Sequence, residues 1–205
     1  MSSKTDEKRE RILAKAEQVF IRRGFNGVTM KDIIEECNIS RGGIYLYFNS
    51  VDEIFMDVVK RHNQLVLENV KVNVQGSTDF EGMIDSYFLI QKERLLNMEN
   101  SLLLAMFEFF IAHKHEADKD FFSGTFTNLE NRILEILKRG VEIGSLKEDQ
   151  IQILAGNILY CIKGLETLAM SSGVAEALLD TQFDFCKRII ISMIEENKKK
   201  ERGKK

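Results

Sequence analysis

The sequence predicts an all-α protein of about nine helices. Apolar residues recur at helical spacing along nearly the whole chain, Ser or Thr caps precede several of these runs, and 205 residues contain no proline. Proline breaks helix interiors, so its absence favours long uninterrupted helices. The first run, over residues 7–23, sets Ile12, Leu13, Ala16, Val19 and Phe20 on one face and ends in Arg22-Arg23 before Gly24. A basic last turn followed by glycine is a helix stop.

After a short link (Gly24-Phe-Asn-Gly27), Thr29 caps a second helix, with Asp32 three residues on completing a capping box. Met30, Ile33, Ile34 and Cys37 form its apolar stripe, leaving Lys31, Asp32, Glu35 and Glu36 to solvent. Asn38 tolerates a left-handed backbone and so can reverse the chain. Ser40 then caps a third helix, and Ile39 anchors the turn. On this helix Ile44, Tyr45 and Phe48 are expected inside, with Tyr45 at the boundary. Arg41, Gly42, Gly43, Leu46 and Tyr47 are expected outside. A helix-interior glycine costs roughly 1 kcal/mol relative to alanine, so an adjacent pair requires a reason. A bare backbone that approaches nucleic acid closely supplies one, with tyrosine hydroxyls for phosphates and Arg41 for a phosphate or guanine edge. The two short helices read as a helix-turn-helix.

Ser50 and Glu53 open a fourth helix carrying Ile54, Phe55, Val58 and Val59, and it runs to Gln75-Gly76-Ser77. A fifth begins near Thr78 to Glu81, with Met83, Ile84, Tyr87, Phe88 and Leu95 on its face. A sixth holds Leu102, Leu103, Met106, Phe107 and Phe110. A seventh, from about Asp120, holds Phe122, Phe126, Leu129, Ile133, Ile136 and Leu137 before a stop at Gly144. The last two helices, near 148–171 and 175–197, are apolar on more than one side. A helix of that kind is buried on two sides, so a second copy of the chain is expected against it. The residues assigned to that homodimer interface are Ile158, Ile162, Leu165, Leu179, Phe183, Cys186 and Ile190.

The stretch RILAKAEQVFIRRGFNGVTMKDIIEECNISRGGIYLYFNSVDEIF resembles, without a gap from about Arg11 to Phe55, the N-terminal domain of the TetR family of bacterial transcriptional regulators. The RGGIYLYF wording is most similar to a branch found in Gram-positive bacteria. The resemblance implies a DNA-binding domain over 1–50 and a helical effector-binding and dimerisation domain over 51–205. It implies DNA contacts at Thr29, Lys31, Ser40, Arg41, Gly42, Gly43, Tyr45, Leu46 and Tyr47. Two positions depart from the family pattern: Val51 stands where many members carry a phosphate-binding lysine, and Leu46 where a polar or aromatic residue is frequent. Binding is then expected to lean on Arg41, Lys31 and the N-terminal Lys4, Lys8 and Arg9. The implied partners are a palindromic duplex operator, a second copy of the chain and a small lipophilic effector. The effector pocket would lie among the middle helices, with Tyr87, Phe88, Met106, Phe107, Phe110, Phe126 and Tyr160 as candidates, because aromatic and Met side chains line adaptable apolar cavities.

Charge distribution agrees. The net charge is −3, yet residues 1–50 carry nine Lys/Arg against seven Asp/Glu, while 51–197 carry fourteen against twenty-four. An acidic body repels DNA and leaves the small domain as the docking face. The last eight residues, KKKERGKK, read as a solvated basic tail. Asn157, Lys163 and Glu166 interrupt the most apolar stretch, 151–170, so a buried helix is expected rather than a membrane span. The three cysteines, Cys37, Cys161 and Cys186, are widely spaced and match no metal pattern, which fits a reducing cytoplasm. His113, His115 and Glu116 do not share one helix face, so no metal site is expected. No cofactor-binding or catalytic motif is present, and the expected function is ligand-responsive transcriptional regulation rather than catalysis. The alternative is a dimeric protein of the same fold that acts through protein contacts.

Overall fold

A computed structural model of the chain describes residues 4–74, 79–98, 101–113 and 119–202. Gln75-Gly76-Ser77 and Thr78, the His115 and Glu116 of the rejected metal reading, and the end of the basic tail lie outside the described residues. Among the described residues the chain forms nine helices and no strand: α1 (Lys4–Arg23), α2 (Met30–Cys37), α3 (Arg41–Tyr45), α4 (Val51–Val74), α5 (Phe80–Leu96), α6 (Leu102–Ala112), α7 (Lys119–Glu142), α8 (Glu148–Ser172) and α9 (Glu176–Arg202). Two compact units are present, one of residues 1–65 and 97–125, the other of 66–96 and 126–205.

The caps read from the sequence are in place. Thr29 Oγ1 accepts from the Asp32 amide at 3.4 Å, and the Asp32 carboxylate accepts from the Thr29 amide at 2.8 Å. Asn38 sits at φ 50°, ψ 52°, left-handed as expected. The Ser50 hydroxyl accepts from the Glu53 amide at 3.1 Å, but Glu53 reaches one residue further back than a standard box, to the Asn49 amide at 2.7 Å.

The core of the first unit is built around phenylalanine. Phe20, Phe48 and Phe55 are fully buried, and Phe109 from α6 is 1 % exposed. Phe20 meets Phe55 edge-on at 4.8 Å, and Phe109 lies 4.8 Å from Phe25 and 4.9 Å from Phe55. Helix α6 therefore completes the N-terminal core. Its inward face is Leu102, Ala105 and Phe109, whereas Phe110, expected inward, is exposed. Adjacent helical residues lie about 100° apart around the axis, so only one of the pair can face the core.

In the second unit α5, α8 and α9 pack on one another through Ile84, Phe88 and Leu95, Leu154, Ile158 and Ile162, and Leu179, Phe183 and Ile190. Phe88 lies 5.1 Å from Phe183. Helix α7 comes close to the start of α5 at Gly140, where a Cβ would sit 2.8 Å from the Phe80 ring. One charged group is buried here. Glu166 accepts from Arg94 and from Lys163, each at 2.5 Å. Burial alone would raise its carboxyl, but these two cations hold it below the ordinary value. Helix α8 is long and apolar enough to cross a membrane by length and composition alone. Eight of its residues, from Ile151 to Glu166, are nevertheless buried inside the unit.

That packing corrects the interface assignment. Ile158, Ile162, Leu165, Leu179, Phe183, Cys186 and Ile190 are each no more than 8 % exposed in the single chain, so they present no surface to a partner. They are the chain's own core. The apolar residues that α8 and α9 leave exposed are Ile153, Tyr160, Leu168, Phe185 and Ile191. Helical periodicity revealed two apolar sides without revealing which one the chain covers itself.

Replacing a buried core phenylalanine by alanine typically costs about 3–5 kcal/mol. Phe109→Ala should destabilise the first unit by that order in urea denaturation and abolish DNA binding with it. A midpoint unchanged from wild type would remove α6 from the N-terminal core.

Candidate nucleic-acid interface and effector cleft

The five residues of α3 are held from below and capped from one end. Ile44 and Phe48 are fully buried and tie it to the core of the first unit. The Ser40 hydroxyl accepts from the Gly43 amide at 3.1 Å. Helix α2 is fixed in turn against α1: Arg22 pairs with Glu36, Arg23 pairs with Asp32, and Lys15 donates to the Glu36 carbonyl at 2.9 Å.

The glycine pair separates into two roles. A Cβ at Gly43 would lie 2.8 Å from Ile39 Cγ1 and 3.0 Å from Ser40 Oγ, so this glycine serves the close packing of the turn. A Cβ at Gly42 would meet nothing within 4 Å. Among the described residues nothing crowds position 42, so its bare backbone is open to close approach by an outside surface.

Around Gly42 the exposed groups are Arg41, Tyr45 and Leu46, the last 80 % exposed. The Arg41 guanidinium lies over the Tyr45 ring at 5.9 Å. The tyrosines exchange the places expected of them. Tyr45 is exposed, while Tyr47 is half-buried and packs on the core. The physical cause is the end of α3 at Tyr45, after which the chain turns and brings Tyr47 back toward α1, with Lys8 Nζ 5.8 Å from its ring. Lys31 is exposed and 3.8 Å from Glu35. Thr29, read as a phosphate contact, already spends its hydroxyl proton on Asp32 at 2.5 Å. Val51 packs against the core. Lys4, Lys8 and Arg9 belong to α1, and Arg9 pairs with Asp57.

Behind this surface α6 holds the loop between α1 and α2. Glu108 accepts from the Asn26 amide at 2.9 Å, and a Cβ at Gly24 would meet that carboxylate at 2.6 Å. Gly24 also has φ 69°, so both backbone and space require glycine there. This role of Glu108 is not legible in the sequence, because its partner is a backbone amide eighty-two positions away.

The aromatic residues proposed for an effector site are not gathered in one place. In the second unit, Val70 and Asn73 of α4, Ser86, Tyr87 and Ile90 of α5 and Ile136 of α7 line a cleft of about 460 Å³ with Asp79 at its edge. Tyr87 alone of the candidates lines it. Burial pushes its phenol well up, against the pull of Arg94 and Arg132, so it is a neutral hydrogen-bonding group. Phe88 is core, and Phe126 and Tyr160 are exposed, with Lys163 5.4 Å over the Phe126 ring. In the first unit, Met106 packs on the phenylalanine core, Phe107 is half-buried and Phe110 lies edge-on to Phe122 at 4.8 Å. The remaining lining residues, Asn73, Ser86 and Ile90 among them, carry no signal in the sequence, since single polar or aliphatic residues on a helix are ordinary.

A capped, core-anchored helix-turn-helix with an exposed Arg-Gly leading turn is a DNA-binding unit of a transcriptional regulator. Residues 12–58 match the profile of the bacterial regulatory proteins, tetR family, which places this N-terminal segment in that family. It is 29 % identical over 146 residues, 71 % of each chain, to YfiR of Bacillus subtilis (strain 168), described as an uncharacterized HTH-type transcriptional regulator. Its fold is similar to the TetR family transcriptional regulator CifR, a cysteine mutant complexed with 26-bp double-strand operator DNA (TM-score 0.65, 18 % identity, 87 % of this chain and 94 % of that one). It is also similar to the transcriptional regulator FadR of Bacillus subtilis in complex with stearoyl-CoA (TM-score 0.63, 17 % identity, 86 % and 96 %).

Two measurements test this geometry. Gly42→Ala should leave thermal stability unchanged or raised by up to about 1 kcal/mol through helix propensity. Its affinity for a selected duplex should drop by about tenfold, equivalent to 1.4 kcal/mol. Gly43→Ala should instead lower stability by about 1–3 kcal/mol, the range of overpacked sites. Equal effects of the two substitutions would contradict the division. Thr29, through its hydroxyl and its amide, holds the Asp32 carboxyl below the ordinary 3.8. The cap contribution is then complete above 3.8 and lost as pH falls through the depressed folded value. Urea denaturation across that range should show a shallower acid loss for Asp32→Asn than for wild type.

Proposed function

We propose that the protein is a repressor that binds a palindromic operator as a homodimer and leaves it when a small lipophilic effector binds. The observation that carries this reading is the leading turn of α3. Arg41, Gly42 and Leu46 face outward on a helix whose own stability is supplied from beneath by Ile44 and Phe48. Arg41 serves a phosphate or guanine edge, Leu46 a thymine methyl, and Lys31 and the tyrosine hydroxyls the backbone. Residues 1–50 dock on DNA, and 51–205 bind effector and dimerise. A palindrome demands two recognition helices about 34–36 Å apart, which one chain cannot supply. The exposed apolar residues Ile153, Tyr160, Leu168, Phe185 and Ile191 on α8 and α9 are the surface that a second copy would cover.

The cleft lined by Tyr87 takes the effector, and the lipid thioester carried by FadR supports a lipophilic class. Helix α4 runs unbroken from the foot of the helix-turn-helix to Val70 and Asn73 at the cleft. An effector that displaces the far end of this rod shifts the near end and spoils the groove spacing. This reading places the protein in the bacterial cytoplasm, with no membrane partner and no catalytic role. The half-buried Val51, which replaces an expected phosphate contact, favours the second reading of a dimer acting through protein contacts.

Arg41→Ala combined with Tyr47→Phe should lower affinity for a duplex obtained by genomic selection, with a salt dependence shallower than wild type and the dimer retained. Retained affinity at all salt concentrations would exclude the assigned interface. Tyr160→Glu with Phe185→Glu should yield monomers in sedimentation, and an intact dimer would move the subunit contact elsewhere.

A further inference from the structure

The cleft of the second unit is a groove along one face of α5. Asp79, Met83, Tyr87 and Ile90 follow one another at three- and four-residue steps, a span of about 16 Å. Val70 and Ile136 close it from α4 and α7, so its middle is apolar.

The two ends of this groove differ in charge. One end is Asp79, whose carboxylate accepts from the Gly82 amide at 2.9 Å. The other end is basic. One turn beyond Ile90, the same face of α5 carries Arg94. Helix α7 runs back along α5, because Gly140 sits against Phe80 near the start of α5 and Ile136 lines the cleft. Further back on α7, the Phe126 ring lies 5.4 Å from the Lys163 ammonium, which shares Glu166 with Arg94. Arg132, one turn before Ile136, therefore falls at the same end of the groove as Arg94.

Two donors at that end are open. Among the described residues Arg94 gives Nε to Gln91 at 3.1 Å and Nη2 to Glu166 at 2.5 Å, and its Nη1 has no partner. The Arg94 side chain is 28 % exposed. The Tyr87 hydroxyl likewise makes no hydrogen bond among the described residues, and burial keeps it protonated. A protonated phenol beside the open edge of a guanidinium is a donor set for an oxyanion. Glu166 does not cancel it, since Lys163 and the other edge of Arg94 already hold that carboxylate.

We propose that the effector is an anionic amphiphile, a linear apolar chain lying along α5 whose terminal carboxylate or phosphate is received by Tyr87 and Arg94. This rests on the cleft being the effector site and adds the chemical class that the site selects. The apolar middle of the groove accepts a methylene chain. Asp79 repels the anion from the opposite end, so the ligand enters in one orientation. A neutral chain of the same length would cover both donors without satisfying them, and that costs affinity.

The test uses the full chain in calorimetry, below micelle-forming concentrations, with four probes of equal chain length: dodecanoate, dodecyl phosphate, methyl dodecanoate and dodecylamine. One of the two anions should bind at least about tenfold tighter than the ester, and the amine no tighter than the ester. The tighter anion identifies the headgroup. Tyr87→Phe should remove about tenfold of that affinity and leave the ester unchanged. Arg94→Lys, which keeps a cation on Glu166 but lacks the open edge, should act in the same direction. Ser86→Trp, which fills the groove, should abolish binding of every probe. An ester that binds as tightly as both anions, or an amine that binds tightest, would overturn the oxyanion assignment while leaving the cleft as an effector site. Anion affinity unchanged in both Tyr87→Phe and Ser86→Trp would overturn it by moving the anion elsewhere. Binding of none of the four probes would overturn the effector reading together with it. The ranking of probes is measured on the wild type, so a variant that folds poorly does not decide the result.

Discussion

A helix of five residues cannot hold itself together in water, and the proposed reading surface of this protein is such a helix. Forming one turn fixes several backbone dihedrals for a single hydrogen bond, so α3 exists only because something else holds it. That support is the seating of Ile44 and Phe48, each worth about 1.5–3 kcal/mol of apolar burial, in a core of stacked and edge-on phenylalanines. Everything outward follows. With its inner side committed, α3 is free to present glycine, arginine and an almost bare leucine to the exterior.

The same core explains why α6 belongs with the N-terminal helices. Phe109 closes the aromatic cluster, His113 stacks on it at 3.8 Å and lies 3.6 Å from Asp52 at the start of α4, and Glu108 holds the Asn26 amide. Adjacent residues Glu108 and Phe109 on α6 and its C-cap His113 thus touch the α1–α2 loop, the phenylalanine core and the first turn of α4. The helix-turn-helix does not rest on local capping alone. Its loop is held by a side chain from far along the sequence, and a glycine at 24 keeps the space for that carboxylate.

In the second unit the constraint is charge rather than ring packing. Glu166 is buried deep on an apolar helix and survives because Arg94 and Lys163 meet it from α5 and from the preceding turn of α8. Burial holds the neighbouring Arg132 at about 10, low for a guanidinium. A buried ion cluster adds little net stability, since desolvation offsets attraction, but it penalises any register in which the partners miss each other. The polar network and the adjacent Tyr87 therefore fix how α5 sits on α8, next to the cleft.

Local devices were legible in the residues themselves. Thr29 with Asp32, Asn38, Ser40, Gly24 and Gly144 act where the sequence placed them, because caps and left-handed turns are decided by a few neighbouring atoms. Helical periodicity likewise gave every helix and most buried faces. Tertiary structure decided which of two apolar sides is used at home, so residues assigned to a partner became core on α8 and α9, and Phe109 rather than Phe110 turned inward. It also split the glycine pair, since the positions of Ile39 and Ser40 distinguish Gly43 from Gly42. The reason is common to all three: spacing along one helix fixes directions around its axis, and only the helices packed against it fix which direction is inside.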